Sequence, residues 1–271
     1  MQTSPKEIRK EILRMGWKSK ASHLGSALSL TEILYVLYFK IANYDKENMS
    51  SPDRDKIILS KGHGSAALYS VLHGKGIISD EEINSYAVNG GKLPCHIDMF
   101  SAKGLEASAG ALGHGIGIAA GMALSDKMDG RNTQIYAIIG DGEAQEGSVW
   151  EAAELISSKK INNFTVIVDF NDIQASGFSN EIIDQRNLSE RFTSFGFESY
   201  DVDGHDCETL EKILKMPHGK PKAVIAHTVK GKGVSFMEGT VKSHYIKLDD
   251  ELYKKALLDI ENNYGIAEAA K

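Results

Sequence analysis

Two hydrophobic spacings alternate along the chain, and together they predict helices interleaved with strands. Short apolar runs predict strands at residues 56–60, 134–139, 164–170, 198–202 and 222–228. Helical periodicity fills most of the gaps, for example at residues 145–158, 207–216 and 249–262. Strands that alternate with helices typically pair in parallel, because each helix returns the chain to the same edge of the sheet. We therefore predict an α/β fold, a parallel β-sheet covered by helices on both faces.

Capping signals mark where several helices begin. Residues 4–7 form a capping box with Pro5 at the first helical position, and the apolar residues that follow share one face. Residues 29–32 repeat the signal, and residues 79–82 begin a shorter helix. The second of these helices contributes a run of apolar residues to the predicted core: Ile33, Leu34, Val36, Leu37 and Phe39.

Two long segments, residues 88–110 and 171–187, fit neither periodicity. Long irregular loops in a compact domain are more often functional than idle. We therefore expect these two segments to border a functional site.

Composition narrows the class of protein. At 271 residues, 42% hydrophobic and 25% charged, the chain can bury a full core, and we expect one domain over residues 1–271. A net charge of −6 with dispersed lysines gives no electrostatic footprint for nucleic acid. The longest apolar stretch, residues 24–39, is too short and polar to span a bilayer, and the N-terminus lacks a secretion signal. Two cysteines, Cys95 and Cys207, suit a reducing cytoplasm.

The triplet Gly140-Asp141-Gly142 ends an apolar run and suggests a ligand site. Ligands of open α/β sheets bind beyond the carboxyl ends of the strands, where glycines let the backbone approach a phosphate closely. A carboxylate beside a polyphosphate requires a cation between them, and magnesium accepts carboxylate, carbonyl and phosphate oxygens. Gly-Asp-Gly also forms ordinary turns, so the triplet alone leaves both interpretations open.

The next predicted strand favours the ligand interpretation. The 28 residues from 143 to 170 suffice for one helix and one strand, after which the apolar run ends at Asn171. This spacing predicts that Asp141 and Asn171 lie side by side at the ends of neighbouring strands. An amide oxygen would then join the carboxylate as a metal ligand.

Gly-Asp-Gly followed by this asparagine resembles the signature of thiamine-diphosphate enzymes. The resemblance implies the diphosphate-binding type of α/β fold and thiamine diphosphate as cofactor. It also implies that Asp141, the Asn171 side chain and the Ile173 backbone carbonyl hold Mg²⁺, or another divalent cation such as Ca²⁺, on the diphosphate. Gly142 would let the diphosphate come close.

Four histidine motifs identify the branch of this superfamily. SHLGSALS, SKGHGSAALY, LPCHIDMF and ALGHGIGIAAG resemble, in order and spacing, the N-terminal half of transketolase, and the resemblance covers nearly the whole chain. It implies transfer of a two-carbon ketol unit from a ketose or ketose phosphate to an aldose or aldose phosphate. His23, His63 and His96 would contact substrate oxygens and the thiazolium region of the cofactor, where imidazole is suited to moving protons near neutral pH.

Further positions resemble cofactor contacts of the same family. Gly110 and Leu112 match residues that pack against the aminopyrimidine, although a closely packed helix also explains such a stretch. His244, in HTVKGKGVSFMEGTVKSHYIKL, matches a histidine that reaches towards the diphosphate and substrate, and it is followed by Tyr245 where the family usually has glycine. Glu146 resembles a glutamate that meets the other active-site domain, and a first-turn acid is the plain alternative.

A transketolase also needs a second domain, which supplies the pyrimidine pocket and most sugar-phosphate contacts. The resemblance stops at the first domain, so we expect a separate C-terminal subunit with the pyrimidine-binding domain, as two copies of each chain. His114 instead resembles deoxyxylulose-phosphate synthase, which leaves half of such an enzyme as an alternative, and a non-catalytic cofactor-binding subunit is another. A nicotinamide dehydrogenase is disfavoured, because no strand precedes the glycines of residues 110–117.

Overall fold

The computed structural model describes residues 3–184 and 187–269, and its centre is a parallel β-sheet. The strands are β1 (Lys56–Leu59), β2 (Ile135–Gly140), β3 (Phe164–Phe170), β4 (Glu198–Asp203) and β5 (Lys222–His227). Their order across the sheet is β1-β2-β3-β5-β4, with every neighbouring pair parallel. The predicted fold class is confirmed, and the strand bounds agree with the sequence to within one residue at each end.

Helices occupy most of the connections between the strands. They are α1 (Pro5–Ser19), α2 (Leu24–Ser29), α3 (Thr31–Val36), α4 (Ser65–Gly74), α5 (Asp80–Ile83), α6 (Gly115–Met128), α7 (Gly147–Ser158), α8 (Ser179–Ile182), α9 (Leu188–Ser194), α10 (Cys207–Lys215) and α11 (Asp250–Ala269). A π-helical turn (Leu37–Ile41) extends α3, and short 3₁₀ turns lie at Gly62–Gly64, Glu143–Gln145 and Val241–His244. The predicted helix at residues 145–158 therefore begins at Gly147, after a separate turn.

The sheet has a hydrophobic core on each face. Alternate strand residues such as Tyr136 and Ile138 pack with the layer built from α1 to α4, α10 and α11. The intervening residues, such as Ala137 and Ile139, pack with α6, α7 and α9. Because β2 is buried on both faces, its sequence is continuously apolar rather than alternating. Among the predicted core residues, Ile33, Leu34, Val36 and Leu37 are fully buried, and Phe39 is half-buried.

One of the three predicted capping signals is confirmed in full, at residues 79–82, and one in part, at residues 4–7. The Ser4 hydroxyl accepts a hydrogen bond from the Glu7 amide, and Ser79 forms a complete capping box with Glu82. The helix cap predicted at residues 29–32 is wrong, because Ser29 is the last residue of α2 and does not cap α3. Its hydroxyl instead donates to the Asp169 carboxylate at 2.6 Å, a buried partner that the local sequence does not reveal.

The two segments that were predicted to be irregular differ in how much regular structure they contain. Residues 88–110 contain no helix or strand, as expected. The segment 171–187, in contrast, contains α8 and an isolated bridge between Ile173 and Phe178, while its residues 185 and 186 lie outside the described part. The bridge is antiparallel, so the segment turns back on itself shortly after Asn171.

Within residues 3–184 and 187–269, no helix combines the length and the apolar character that crossing a membrane requires. Cys95 and Cys207 are both free thiols.

Candidate active site

A cavity of about 270 Å³ lies beyond the carboxyl ends of the strands. It gathers ten of the predicted site residues: His23, His63, His96, Gly110, Leu112, Asp141, Gly142, Asn171, Ile173 and His244. Strands β2 and β3 are neighbours, with Gly140 opposite Asp169, so Asp141 and Asn171 follow adjacent strand ends as their spacing predicted. The roles of these residues remain predictions, but the structure brings the residues together.

Four histidine rings converge in this cavity from separate parts of the chain. The centre of the His23 ring lies 5.7 Å from those of His63 and His96 and 4.8 Å from that of His244. The ring centres of His63 and His244 are 5.8 Å apart. The exposed Tyr245 ring packs edge-on against His244 at 4.6 Å. Such a cluster offers several proton donors and acceptors to one small polar ligand.

Local backbone geometry places two of these rings. His63 lies on the tight turn after β1, and a Cβ atom on the neighbouring Gly62 would come within 2.3 Å of the Ala109 carbonyl oxygen. Only glycine therefore allows the 88–110 segment to close over this turn. His23 precedes α2 in a left-handed conformation, φ +68°, and its amide donates to the His244 carbonyl at 3.0 Å. A non-glycine residue in this region of φ is often part of a functional site.

Burial and nearby positive charges keep three of the imidazoles neutral. Burial lowers the pKa of His63 well below its ordinary value, and the Lys61 charge lowers it further. Burial and then the Lys230 charge lower the pKa of His244 to about 4. The pKa of His23 is lowered by burial and by His96. Neutral imidazoles can accept protons from hydroxyl groups of a bound ligand at physiological pH.

The predicted metal ligands present oxygen atoms to the same cavity. Asp141 is 2% exposed, and among the described residues its Oδ2 atom has no hydrogen-bond partner. A buried carboxylate oxygen without a partner is costly unless a cation or another donor meets it, and burial accordingly raises the pKa of Asp141. The Asn171 Oδ1 atom accepts the Ile173 amide at 3.2 Å, and the Ile173 carbonyl accepts the Lys230 ammonium at 2.8 Å. Each of these oxygens keeps a second lone pair, so the set fits a hard divalent cation.

Clusters of three or more histidine, cysteine, aspartate or glutamate side chains arranged to hold a metal are absent from the described residues. The predicted ligand set is of another kind, since it combines one carboxylate with an amide oxygen and a backbone carbonyl.

A buried charge network that was not predicted from the sequence lies beneath the cavity. Asp169, the residue of β3 that pairs with Gly140, is fully buried and forms an ion pair with Lys61. Its carboxylate also accepts hydrogen bonds from the hydroxyls of Ser29 and Thr228. Burial alone would raise the pKa of Asp169, but Lys61 and these donors hold it below its ordinary value. Lys61 lies in the SKGHG motif with His63, and this position in the motif is the only local signal that could have indicated a role for Lys61.

A second buried carboxylate fixes the loop that carries Gly110 and Leu112. Glu143 accepts the amides of Gly113 at 2.8 Å and Gly140 at 3.2 Å, and also the Ser60 hydroxyl. Glu143 therefore ties the start of α6 to the ends of β1 and β2. The sequence placed Glu143 next to Asp141 but did not predict this structural role.

Two positively charged side chains face the cavity. Lys61 and Lys230 are 2% and 1% exposed, and both line it. The Lys230 ammonium also lies 3.0 Å from His244 Nδ1. Burial and then the Lys61 charge lower the pKa of Lys230 to about 8. Because Lys61 is already paired with Asp169, Lys230 carries the positive charge that can meet an anionic ligand.

Glu146 and His114 lie outside the cavity. Glu146 is exposed and precedes α7, apart from the ten gathered residues. His114 is exposed at the start of α6, where its Nδ1 atom lies 3.1 Å from the Leu112 carbonyl.

The fold and the gathered residues define an α/β domain with a polar cavity at the carboxyl ends of its strands, and comparison with known proteins gives its family. Residues 6–268 match the family described as transketolase, thiamine diphosphate binding domain. The chain belongs to the transketolase family.

Relatives of similar length support this assignment. The chain is 38% identical over 257 residues to the 6-deoxy-6-sulfo-D-fructose transketolase subunit SqwG of Clostridium sp. (strain MSTE9), covering 94% of each chain. It is 39% identical over 250 residues to one of the subunits of apulose-4-phosphate transketolase from Actinobacillus succinogenes, covering 90% of each. These matches confirm the predicted class, the thiamine-diphosphate-binding subunit type of transketolase.

A solved structure of a larger enzyme contains a similar fold. The transketolase of Campylobacter jejuni superimposes with a TM-score of 0.85 at 32% identity, over 98% of this chain and 43% of that one. The fold observed here therefore corresponds to somewhat less than half of that transketolase.

Proposed function

We propose that this chain is the diphosphate-binding subunit of a two-component transketolase, assembled as two copies of each subunit with a separate pyrimidine-domain chain. It transfers a two-carbon ketol unit from a ketose or ketose phosphate to an aldose or aldose phosphate. The observation that carries the proposal is the convergence of four histidine rings and the Asp141 carboxylate on one cavity. Diphosphate binding alone would not require so many imidazoles.

The proposed cofactor is thiamine diphosphate with Mg²⁺ or another divalent cation such as Ca²⁺. The Asp141 carboxylate, the Asn171 amide oxygen and the Ile173 carbonyl would hold the cation, and the glycine at 142 would leave room for the diphosphate. Gly110 and Leu112 would contact the aminopyrimidine. When bound, thiamine diphosphate supplies a carbon nucleophile and an electron sink.

The chain's own histidines would hold and move protons on the sugar. His23, His63 and His96 would meet substrate hydroxyl and carbonyl oxygens, and His244 would serve both the substrate and the diphosphate end. Because His63 and His244 are held neutral, they can accept hydroxyl protons and return them to developing alkoxides. Lys230 adds positive charge where the anionic group would lie.

The proposed assembly gives roles to features outside the cavity. Residues 1–271 would form one diphosphate-binding domain, and Glu146, exposed at the start of α7, would lie at the interface with the pyrimidine-domain chain. The relatives' names, which describe them as subunits, support the existence of such a partner. We further propose a cytoplasmic protein, in keeping with its two free thiols.

Native mass spectrometry of the chain purified from its own host tests this proposal. We expect a second chain of similar size, a two-plus-two assembly and bound thiamine diphosphate. The purified assembly should transfer ketol units between sugars or sugar phosphates only with thiamine diphosphate and a divalent cation. A chain that associates only with itself and takes up no cofactor would contradict the proposal, and activity with pyruvate as donor would favour the deoxyxylulose-phosphate synthase type.

A further inference from the structure

The Lys230 ammonium reaches the cavity from a segment without helical or strand structure. Residues 228–232 follow β5 as an irregular turn, and the Lys230 side chain extends from it to the Ile173 carbonyl and to His244. A buried amine can hold such a position only if its backbone is fixed, because a lysine side chain has four rotatable bonds. The backbone contacts of this segment, together with the hydrogen bonds of the ammonium itself, therefore set where the positive charge lies.

Side chains and backbone from distant elements hold the segment at successive residues. The Val229 amide donates to His205 Nε2 at 2.9 Å. The Gly231 amide donates to the Gly25 carbonyl at 2.9 Å, and the Lys232 carbonyl accepts the Arg9 guanidinium at 3.1 Å. The Lys230 carbonyl itself accepts the Gly239 amide at 2.9 Å. Among these contacts, His205 supplies the side-chain partner on the N-terminal side of Lys230.

His205 is itself held by a buried ion pair. The Arg9 guanidinium and the Glu32 carboxylate are 0% and 3% exposed and form two parallel hydrogen bonds, the longer at 2.7 Å. Glu32 Oε2 also lies 2.9 Å from His205 Nδ1. Burial would raise the pKa of Glu32, but the Arg9 charge and the His205 hydrogen bond lower it to about 2, so the carboxylate is ionised at neutral pH. A bidentate pair of this kind has a fixed geometry.

The partners of His205 determine its proton positions. The Val229 amide can only donate, so Nε2 must present a lone pair. A carboxylate can only accept, so Nδ1 must carry the hydrogen that faces Glu32. His205 thereby links an ionised carboxylate in α3 to the backbone of the cavity segment through a single neutral tautomer.

We propose that His205, oriented by the Arg9–Glu32 pair, is a positioning residue that fixes the Val229–Lys230 backbone and so keeps the Lys230 ammonium in the cavity. Its consequence for ligand binding rests on the proposed function, because Lys230 would face the diphosphate of the cofactor. His205 itself does not line the cavity.

The test compares two substitutions of His205 with a control. His205→Gln keeps a donor and an acceptor on one planar group, whereas His205→Leu removes both while keeping an apolar body of comparable size. His227→Leu is the matched control, since His227 also pairs with a carboxylate, Asp201, but both of those side chains are half exposed. All variants are made in the full chain, purified with its partner subunit.

The first readout needs no cofactor. Nitrogen-15 NMR of the wild-type chain should show His205 as the Nδ1–H tautomer, and hydrogen exchange should show a protected Val229 amide. Loss of this hydrogen bond in His205→Leu should speed exchange at Val229 roughly tenfold or more, while His205→Gln restores most of the protection. An Nε2–H tautomer, or an amide equally protected in all variants, overturns the inference whether or not the chain binds thiamine diphosphate.

The second readout is the dissociation constant of magnesium thiamine diphosphate, measured by calorimetry. We expect it to rise by roughly tenfold in His205→Leu, with partial recovery in His205→Gln and no change in His227→Leu. Turnover at saturating cofactor should fall less than affinity. Equal cofactor affinity in wild type and His205→Leu overturns the inference. A wild-type complex that binds no cofactor refutes the proposed function instead, and the exchange rate of the Val229 amide then tests the role of His205. If His205→Leu does not fold, the tautomer of His205 in wild type and the amide exchange and cofactor affinity of His205→Gln still test the inference.

Discussion

Replacing Asp141 with alanine should separate the stability of the cofactor-free protein from its capacity to bind ligand. The buried Oδ2 atom of Asp141 has no partner among the described residues, and burial raises the pKa of the carboxyl group. An unpartnered buried polar atom costs about 1–3 kcal/mol. Because Asp141 lines the cavity, alanine removes this cost without leaving a closed void. The cofactor-free variant should therefore be more stable than wild type by about that amount.

The same substitution should abolish stabilisation by the cofactor. A ligand at 100 times its dissociation constant stabilises the folded state by about 2.7 kcal/mol. Wild type should gain this stability from magnesium thiamine diphosphate, whereas Asp141→Ala, which lacks the proposed metal carboxylate, should gain almost none.

Thermal unfolding with and without the cofactor measures both effects. A domain of this size shifts by roughly 2–4 °C per kcal/mol, so cofactor-free Asp141→Ala should melt several degrees above wild type. Asp201→Ala, which removes a half-exposed carboxylate at β4, should change neither the stability nor the ligand response. An Asp141 variant that is less stable than wild type, or that keeps the full cofactor-induced shift, would refute the reasoning.

Three further substitutions probe the catalytic cluster, the buried ion pair and the tight turn. His63→Ala should leave cofactor affinity largely intact but slow turnover by roughly 100-fold or more, measured at saturating cofactor. Glu32→Gln should cost about 3–5 kcal/mol at neutral pH, because it leaves Arg9 buried without its carboxylate. The Glu32 pKa is lowered from 4.5 to about 2, so its contribution is present above pH 4.5 and lost towards pH 2, and urea unfolding should show wild type and variant converging over that range. Gly62→Ala should displace the turn that carries His63, since its Cβ would lie 2.3 Å from the Ala109 carbonyl oxygen, and should reduce both melting temperature and turnover.

For each of these three substitutions, one measured outcome would contradict the prediction. Full turnover in His63→Ala would remove that residue from the catalytic set, and His73→Ala, a histidine paired at the surface with Asp80, is its control. A Glu32→Gln difference that persists unchanged below pH 3 would show that the carboxylate charge is not the stabilising element. Normal turnover in Gly62→Ala would show that the 88–110 segment can move aside.

The strands and the neighbouring positions of Asp141 and Asn171 were readable from the sequence because their signals are local. Apolar runs end at Gly140 and Phe170, and a chain of 28 residues can hold only a helix and a strand between the triplet and Asn171. Neighbouring parallel strands then bring their ends together. The histidines were found by resemblance, and the structure places all four in one cavity although no spacing between them predicts it.

The errors and omissions share one physical cause, which is partners distant in sequence. Ser29 has the sequence of a helix cap, yet its hydroxyl finds a carboxylate 140 residues away. Lys61 and Asp169 lie in apolar and glycine-rich surroundings, where nothing local indicates that each is paired inside the protein.

By itself, the sequence determined the α/β class, the strand positions and the chemistry available at the strand ends, because periodicity and turn residues act over a few neighbours. Tertiary structure alone decided which charges are buried together and which backbone segments they hold. The insertion of β5 between β3 and β4 brings Thr228 to Asp169 and Lys230 to the cavity, and the packing of α1 and α3 beyond the sheet connects Arg9 and Glu32 to His205. Such pairings become strong only when the folded protein excludes water from both partners. Because that exclusion depends on the whole fold, no local sequence pattern encodes them.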